Sequence, residues 1–170
     1  YAGCPRQAGR SMKSGGHYLQ DAWARRLVIG VIASPDHGGG KGKVGVWAEA
    51  LTREALFRAV LARHTFGTSG PKMAVLLRSG DAMMGDVVKR PAGEIALEVR
   101  ARAARPIRRL VLFRNNEKVH ESEPGRTAFK LHWTDTTPPA PSAAAPRLWY
   151  YARIQCTDDE LAWTSPIWFG

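Results

Sequence analysis

Two adjacent residues, Asp36 and His37, have side chains suited to holding a metal ion. A carboxylate oxygen and an imidazole nitrogen are ligands that divalent transition metals accept. The pair follows the apolar run 27–33 and precedes the glycine-rich stretch 38–42. Loops converge where the strands of α/β sheets end, so sites are commonly built there. Two residues cannot complete a metal site, and the alternative interpretation is an aspartate that caps a turn beside a surface histidine.

The elements that would position this pair are α/β in character. Residues 27–33 form an unbroken, β-branched apolar run, which predicts a strand buried on both faces of a parallel sheet. A short helix is predicted before it, at 17–26, from the three- and four-residue spacing of its apolar side chains. Thr52 is predicted to cap a second helix that ends near His64. The core-facing side chains of this second helix are predicted to be Leu56, Val60 and Leu61.

Beyond Lys72 the hydrophobic period changes from 3.6 to 2, which marks a domain boundary. The clearest strand is 94–102, where apolar and charged side chains alternate. Asn115 and Asn116 tolerate the positive φ of a tight turn and predict a hairpin. Further short strands are predicted at 73–78, 108–114, 117–121, 127–133, 148–156, 161–163 and 167–169. Such a series of short strands joined by turns is typical of an antiparallel, immunoglobulin-like sandwich.

The chain is strongly basic, with a formal net charge of +10 and a pI near 10.2. Clustered Lys and Arg attract polyanions and release their counterions. The excess here is scattered, mostly as Arg, without a block of five like charges. A generally basic surface is therefore favoured over a dedicated nucleic-acid site.

The apolar run 27–33 is far too short to span a bilayer, and no charged-then-apolar leader precedes it. No membrane partner is expected. The sequence leaves the localisation open.

Three stretches carry a resemblance to a known superfamily. They read GVIASPDHGG at 30–39, VGVWAEALTREALFRAVLARHTFGTSGPK at 44–72 and AWTSPIWFG at 162–170. Together they resemble the end of a PHP (polymerase and histidinol phosphatase) phosphoesterase in an uncharacterised bacterial branch. The resemblance implies an α+β chain in two parts. Residues 1–72 would be the terminal strand-loop-helix part of a PHP-type α/β barrel, and residues 73–170 an antiparallel immunoglobulin-like β-sandwich.

What the resemblance implies is a metal-dependent hydrolase in which metal-activated water attacks a phosphoester-like bond. Asp36 and His37 match the closing ligand motif for a divalent transition metal, namely zinc, manganese or iron. The family's early His-x-His ligands have no counterpart in this sequence. The chain is therefore expected to be an inactive fragment, completed by a missing amino-terminal barrel region or by another chain, or by oligomerisation. His64 stands where the family usually has Arg, so it is a candidate for binding an anionic substrate or, alternatively, for interacting with a helix dipole.

A second hypothesis needs no catalytic site. The basic sandwich would be a non-catalytic module that binds an anionic polysaccharide or a nucleic acid. Arg100, Arg102 and Arg109 are the arginines expected to carry that binding. Salt-sensitive retention by a polyanion favours this hypothesis, whereas loss of bound metal on replacing Asp36 and His37 favours the hydrolase.

Overall fold

The computed structural model describes residues 18–35, 40–70, 72–140 and 147–170. Within these ranges the chain forms two short helices and a series of eleven strands. The elements are α1 (Leu19–Ala24), β1 (Lys43–Val46), α2 (Arg53–Leu61), β2 (Thr65–Thr68), β3 (Ala74–Ser79), β4 (Ala82–Met83), β5 (Val87–Val88), β6 (Ile95–Arg114), β7 (Glu117–Ser122), β8 (Arg126–Asp135), β9 (Leu148–Cys156), β10 (Leu161–Thr164) and β11 (Ile167–Phe169). Neither helix has the length or the apolar content to cross a bilayer in the part of the chain so described.

The 20-residue strand β6 organises the sheet, because its two halves pair with different neighbours. Arg102 lies opposite both Ala74 of β3 and Ala128 of β8, so β3 and β8 flank the first half. Leu110 lies opposite both Ser122 of β7 and Ile154 of β9, so β7 and β9 flank the second half. One edge of β6 therefore carries β3 and then β9, and the other carries β8 and β7.

The register of β6 shifts between Arg102 and Ile107, where it exchanges β3 for β9. Pro106 lies in this interval and has no N–H to give to a ladder. Such irregularities bend a strand and increase its twist. The bend lets one continuous strand belong to both halves of a curled sheet.

The sheet runs in the order β1-β2-β10-β9-β6-β3-β4. Every pairing is antiparallel except that of β5 with β11. Within the described residues, β7 and β8 pair with β6 alone, so their outer edge has no strand neighbour. The result is a curled sheet that resembles half of a barrel.

The predicted strand at 27–33 is wrong, and so is the α/β barrel part built on it. The segment has no strand or helix assignment, and only Val31 of the run is buried. It is held across the sheet instead, since the Val31 N–H donates to Ser165 Oγ at 2.8 Å. A Cβ on Gly67 of β2 would lie 3.1 Å from the Val31 side chain, which shows how closely the segment crosses β2. An apolar run can lie across the face of a sheet as well as form a strand within it, and composition does not distinguish these two arrangements.

The immunoglobulin-like sandwich is also wrong, although its predicted strands lie close to real ones. The predicted strands 94–102 and 108–114 are one strand, so they cannot belong to two facing sheets. The predicted hairpin is present, with φ of 49° at Asn115 and 70° at Asn116. The segment after α2, for which no strand was predicted, is the buried strand β2, which pairs with both β1 and β10. The predicted boundary between residues 72 and 73 stays a prediction.

The apolar interior has two parts. The larger part lies inside the curl, where Leu77, Val99, Leu110 and Ile154 are fully buried. The smaller part is aromatic and lies on the other side of β9, where α1 places Trp23 against Tyr151. Burial of such side chains stabilises the fold by about 1.5–3 kcal/mol each.

A buried carboxylate ties the end of β8 to β6 and β9. Asp135 Oδ2 accepts hydrogen bonds from Tyr150 Oη at 2.6 Å and from Arg114 Nη1 at 2.8 Å. Its Oδ1 accepts one from the Thr137 N–H at 3.1 Å. Burial would raise the pKa of Asp135, but these hydrogen bonds outweigh burial and hold the pKa below its ordinary value.

Replacement Asp135→Asn is expected to lower the free energy of unfolding at pH 7 by about 1–3 kcal/mol. Because the pKa of Asp135 is lower in the folded state, its contribution is fully present above the unfolded pKa and is lost as pH falls through the folded pKa. The difference between wild type and variant should therefore shrink below about pH 4. Urea unfolding at pH 7, 4 and 3 measures it, with Asp81→Asn as an exposed control. A difference that is the same at all three pH values contradicts the prediction.

Candidate polyanion-binding face

The predicted metal ligands, Asp36 and His37, lie outside the described residues. In the described ranges no group of three or more His, Cys, Asp or Glu side chains could hold a metal ion. The described flank of the loop is basic instead, and Lys43 Nζ donates to the Gly70 carbonyl. The metal site and the hydrolase activity stay predictions.

His64 has an acidic partner. It follows the end of α2, and its Nε2 lies 2.8 Å from Asp86 Oδ1 in the loop between β4 and β5. Asp86 Oδ2 in turn accepts a hydrogen bond from the Met83 N–H at 2.8 Å. The imidazole thus joins the end of α2 to the 83–86 turn through a hydrogen bond that the helix-dipole interpretation did not include.

The other two described histidines, His120 and His132, are separated from His64. His120 packs beside Trp133 with ring centroids 5.9 Å apart, and burial lowers the pKa of His120. His132 is exposed on β8, and His17 lies outside the described residues.

A cluster of charged side chains covers the outer face of β3, β6 and β8. Val99 and Ala101 of β6 point into the core, so Glu98, Arg100 and Arg102 between and beside them point outward. Residues directly opposite on neighbouring strands share a face. The register therefore adds side chains of β3 and β8 to those of β6. We call the resulting set the basic face: Arg78, Glu98, Arg100, Arg102, Lys130 and His132.

Glu98 is the central acid of the basic face, and its side chain is 18% exposed. Lys130 Nζ lies 2.9 Å from its Oε2, and Arg100 Nε pairs with its Oε1. Hydrogen bonds from Lys130 first, and then from Arg100, lower the pKa of Glu98 to about 2. Glu98 is therefore ionised at any physiological pH, and it holds two cations in fixed positions above the sheet.

Arg102 makes no ion pair with any described acidic side chain, and it is exposed. Arg105 follows at the bend of β6 and is likewise exposed. The outward side of β6 continues to Arg109, whose Nε lies 2.8 Å from Glu121 Oε1. The positive charge of the basic face thus exceeds its negative charge and extends along β6.

The surface between these charges is open and mainly polar, with Asp81, His132 and Thr134 beside Ala96 and with Trp133 in its wall. Beside Arg78 and Glu98 it forms a groove of about 540 Å³. The neighbouring outward residues of β3 and β6 include Leu76 and Ala96. The aromatic side chains of β8, Phe129 and Trp133, pack against the core.

A smaller cavity of about 300 Å³ lies on the same side of the sheet, between α1 and β9. Phe113 and Tyr151 stack in its wall with centroids 4.8 Å apart, and the Arg153 guanidinium lies 5.2 Å from the Phe113 ring. Three buried polar atoms of residues that line this cavity have no hydrogen-bond partner among the described residues: Gln20 Oε1, Asn116 Oδ1 and Trp163 Nε1.

Residues 16–103, just over half of the chain, match a family described as a protein of unknown function, DUF3604. The chain belongs to the DUF3604 family. The matched range includes Arg78, Glu98, Arg100 and Arg102 of the basic face. Lys130 and His132 lie beyond it.

The chain is also similar to uncharacterised bacterial proteins. It is 27% identical over 138 residues to one from Chlamydia pneumoniae and, over the same length, to one from Chlamydia muridarum. A third, from Chlamydia trachomatis, is 26% identical. Each alignment covers 75% of this chain and 22% of the relative, so the chain spans about a fifth of the length of these curated relatives.

These comparisons correct the resemblance inferred from the sequence. They identify DUF3604, a family without an assigned function, and uncharacterised relatives, and nothing in them indicates the PHP superfamily. The chain has no PHP-type barrel part in its described residues either. Assignment to the PHP superfamily was wrong, since GVIASPDHGG and the associated helix motif are features that a DUF3604 member carries.

Sequence reasoning found part of the basic face. Alternation along 94–102 identified Arg100 and Arg102 as outward residues. Arg78 and Lys130 were missed, because their place beside Glu98 depends on cross-strand register, which the sequence does not specify. Arg109 is outward as expected, but its guanidinium is paired with Glu121.

Replacement of Lys130 by Ala is expected to raise the pKa of Glu98 toward the ordinary glutamate range, because Lys130 makes the largest contribution to lowering it. Carbon-13 NMR of the Glu98 carboxyl carbon during a pH titration measures the change. Arg102→Ala is the matched control, since Arg102 makes no ion pair with Glu98. If the pKa of Glu98 remained near 2 in Lys130→Ala, the pairing of Lys130 with Glu98 would not be the cause of the lowered pKa.

The metal prediction for Asp36 and His37 can be tested on the complete polypeptide encoded by the reading frame. If both are ligands, the double replacement Asp36→Ala, His37→Ala should remove bound divalent metal, as measured by elemental analysis after gel filtration. The matched control is Asp81→Ala, His132→Ala, which removes the same side-chain types from exposed positions. Equal metal content in both variants and wild type would exclude this pair as ligands.

Proposed function

We propose that this DUF3604 chain is a module that binds an anionic polysaccharide through the basic face. The observation that carries the proposal is the arrangement of Arg78, Arg100, Arg102 and Lys130 around the single acid Glu98 on one outer face. Glu98 holds Arg100 and Lys130 in place, while Arg102 has no described acidic partner. The face thus offers pre-positioned cations with charge left over for a ligand.

The spacing of these cations suits a ligand with repeated negative groups. Alternate residues of a strand lie about 7 Å apart, which is within the screening length of about 8 Å at physiological ionic strength. The fields of Arg100 and Arg102 therefore add over the surface between them. Guanidinium groups also bind carboxylates and similar planar anions with two parallel hydrogen bonds.

The surface chemistry favours a polysaccharide over a nucleic acid. Single-stranded nucleic acids are generally held by several exposed aromatic side chains on which successive bases stack. Phe129 packs toward the core, and Trp133, which is half-buried against the core, is the one aromatic side chain that lines the groove. Proteins that recognise a base sequence in duplex DNA commonly insert a helix or a two-stranded β-ribbon into a groove. A broad sheet face that offers mainly arginine and lysine side chains needs only charged groups on its ligand.

The double replacement Arg100→Ala, Arg102→Ala is expected to weaken binding to heparin, a sulfated polysaccharide used as the probe. Each lost contact with an anionic group should reduce the slope of log affinity against log salt concentration by about 1. Isothermal titration calorimetry between 50 and 200 mM salt measures the slope. The matched control is Arg53→Ala, Arg58→Ala on α2, which removes the same charge elsewhere.

A replacement that removes a negative charge from the basic face provides a second test. Glu98→Gln should strengthen heparin binding and steepen the salt slope, because removing a negative charge that repels the polyanion outweighs the loss of the positions that Glu98 imposes on Arg100 and Lys130. Equal losses in the Arg100/Arg102 pair and in the Arg53/Arg58 pair would mean that only net charge matters, which contradicts a specific face. A duplex or single-stranded DNA of equal charge that binds more tightly than heparin would favour the nucleic-acid alternative.

A further inference from the structure

The exposed large apolar side chains are concentrated in one part of the sequence. Among the described residues every one of them except Val87 lies between Leu27 and Leu61. We call this set the apolar surface: Leu27, Ile29, Ile32, Val44, Trp47, Leu51, Phe57, Val60 and Leu61. Single exposed apolar residues are normal on any protein, whereas a concentration of this kind marks an interaction site.

The segments that carry the apolar surface are neighbours in space. A Cβ on Gly30 would lie 2.8 Å from Arg63 Cβ, so the 27–33 segment passes the end of α2. The Trp47 N–H donates to the His64 carbonyl at 2.9 Å, which places the end of β1 beside the same point. The 27–33 segment, the end of β1 and the end of α2 thus meet at residues 63–64.

The large apolar side chains of α2 face solvent, whereas those of a surface helix usually face the core. Its buried residues are the small Ala55 and Ala59, and Leu56, Val60 and Leu61, predicted to face the core, are not buried. Phe57 is 63% exposed and Leu61 is 61% exposed. A helix that is apolar outside its core-facing stripe is generally covered on that side too.

Charges around the apolar surface are mostly basic. Arg25 and Arg26 precede the 27–33 segment, and Arg53 and Arg58 lie on α2. Two described acids, Glu49 and Glu54, lie in the same part of the sequence. A surface complementary to this one is apolar with an acidic rim.

We infer that the apolar surface is the docking site for another domain of the same polypeptide, with an apolar centre and an acidic rim. The relatives support this occupant, because this chain aligns with only 22% of their length. An intramolecular partner also has a high effective concentration, so it can cover a surface of moderate size. The inference is independent of the polysaccharide proposal, since the basic face and the apolar surface share no residue.

The test compares this chain with the complete polypeptide encoded by its reading frame, using amide hydrogen exchange. Peptides covering 27–33 and 53–61 are expected to exchange at least tenfold more slowly in the complete polypeptide. Peptides covering β8 on the basic face should exchange equally in both. The double replacement Phe57→Ser, Leu61→Ser should abolish the slower exchange of 27–33 and 53–61 in the complete polypeptide while leaving β9 protected. The control Val87→Ser should leave the slower exchange of those peptides intact.

Three outcomes would overturn the inference. Equal exchange of 27–33 and 53–61 in the two polypeptides would show that no further domain covers the surface. A reading frame that encodes nothing beyond these residues would leave no such domain to dock. Analytical ultracentrifugation is expected to find this chain monomeric at micromolar concentration; a dimer that Phe57→Ser, Leu61→Ser dissociates would identify a second copy as the occupant instead.

Discussion

The fold depends on the continuity of β6 through its register shift. One strand of 20 residues supplies the ladder for β3 and β8 in its first half and for β7 and β9 in its second. Without the irregularity near Pro106 the two halves would form one flatter sheet, and the side chains inside the curl would lose their mutual contacts. The buried cluster of Asp135, Tyr150 and Arg114 closes the same arrangement, since it joins β8, β9 and the end of β6. Because these pairings join residues far apart in sequence, folding of the sheet requires many non-local contacts.

Charged side chains have different roles on the two faces of the sheet at β6. On its inner side, Asp135 is buried and fully hydrogen-bonded, so its charge serves stability. On its outer side, Glu98 is held by Lys130 and Arg100 near water, where such pairs contribute little to stability. The role of Glu98 is therefore better explained by the positions it imposes on the cations. The proposed ligand would use that arrangement, while the apolar surface on the other segments would join the sheet to the rest of a longer protein.

The sequence predicted the parts of the fold that depend on local chemistry. Alternation identified most of the strands after Lys72, Asn115 and Asn116 identified the hairpin, and Thr52 identified the start of α2, where its Oγ1 accepts from the Ala55 N–H. Prediction from the sequence failed where the local pattern does not determine which segment a strand pairs with. The apolar run 27–33 suits a strand inside a sheet as well as a segment lying across one, and β2 was hidden in a stretch rich in glycine and serine. Arg100 and Arg102 could be found from alternation, whereas Arg78 and Lys130 needed the register.

The outer edge of β8, which no other described strand pairs with, has a consequence for solubility. A ten-residue strand with free backbone donors and acceptors is a template on which another extended chain can add, and its alternating Phe129, Leu131 and Trp133 belong to residue types that favour such growth. Charged side chains on an edge strand oppose this stacking, and Lys130 stands among those aromatic and aliphatic residues. Lys130, which the proposed ligand would neutralise, thus also opposes fibril formation, so a bound polyanion would remove part of the repulsion that keeps neighbouring molecules apart.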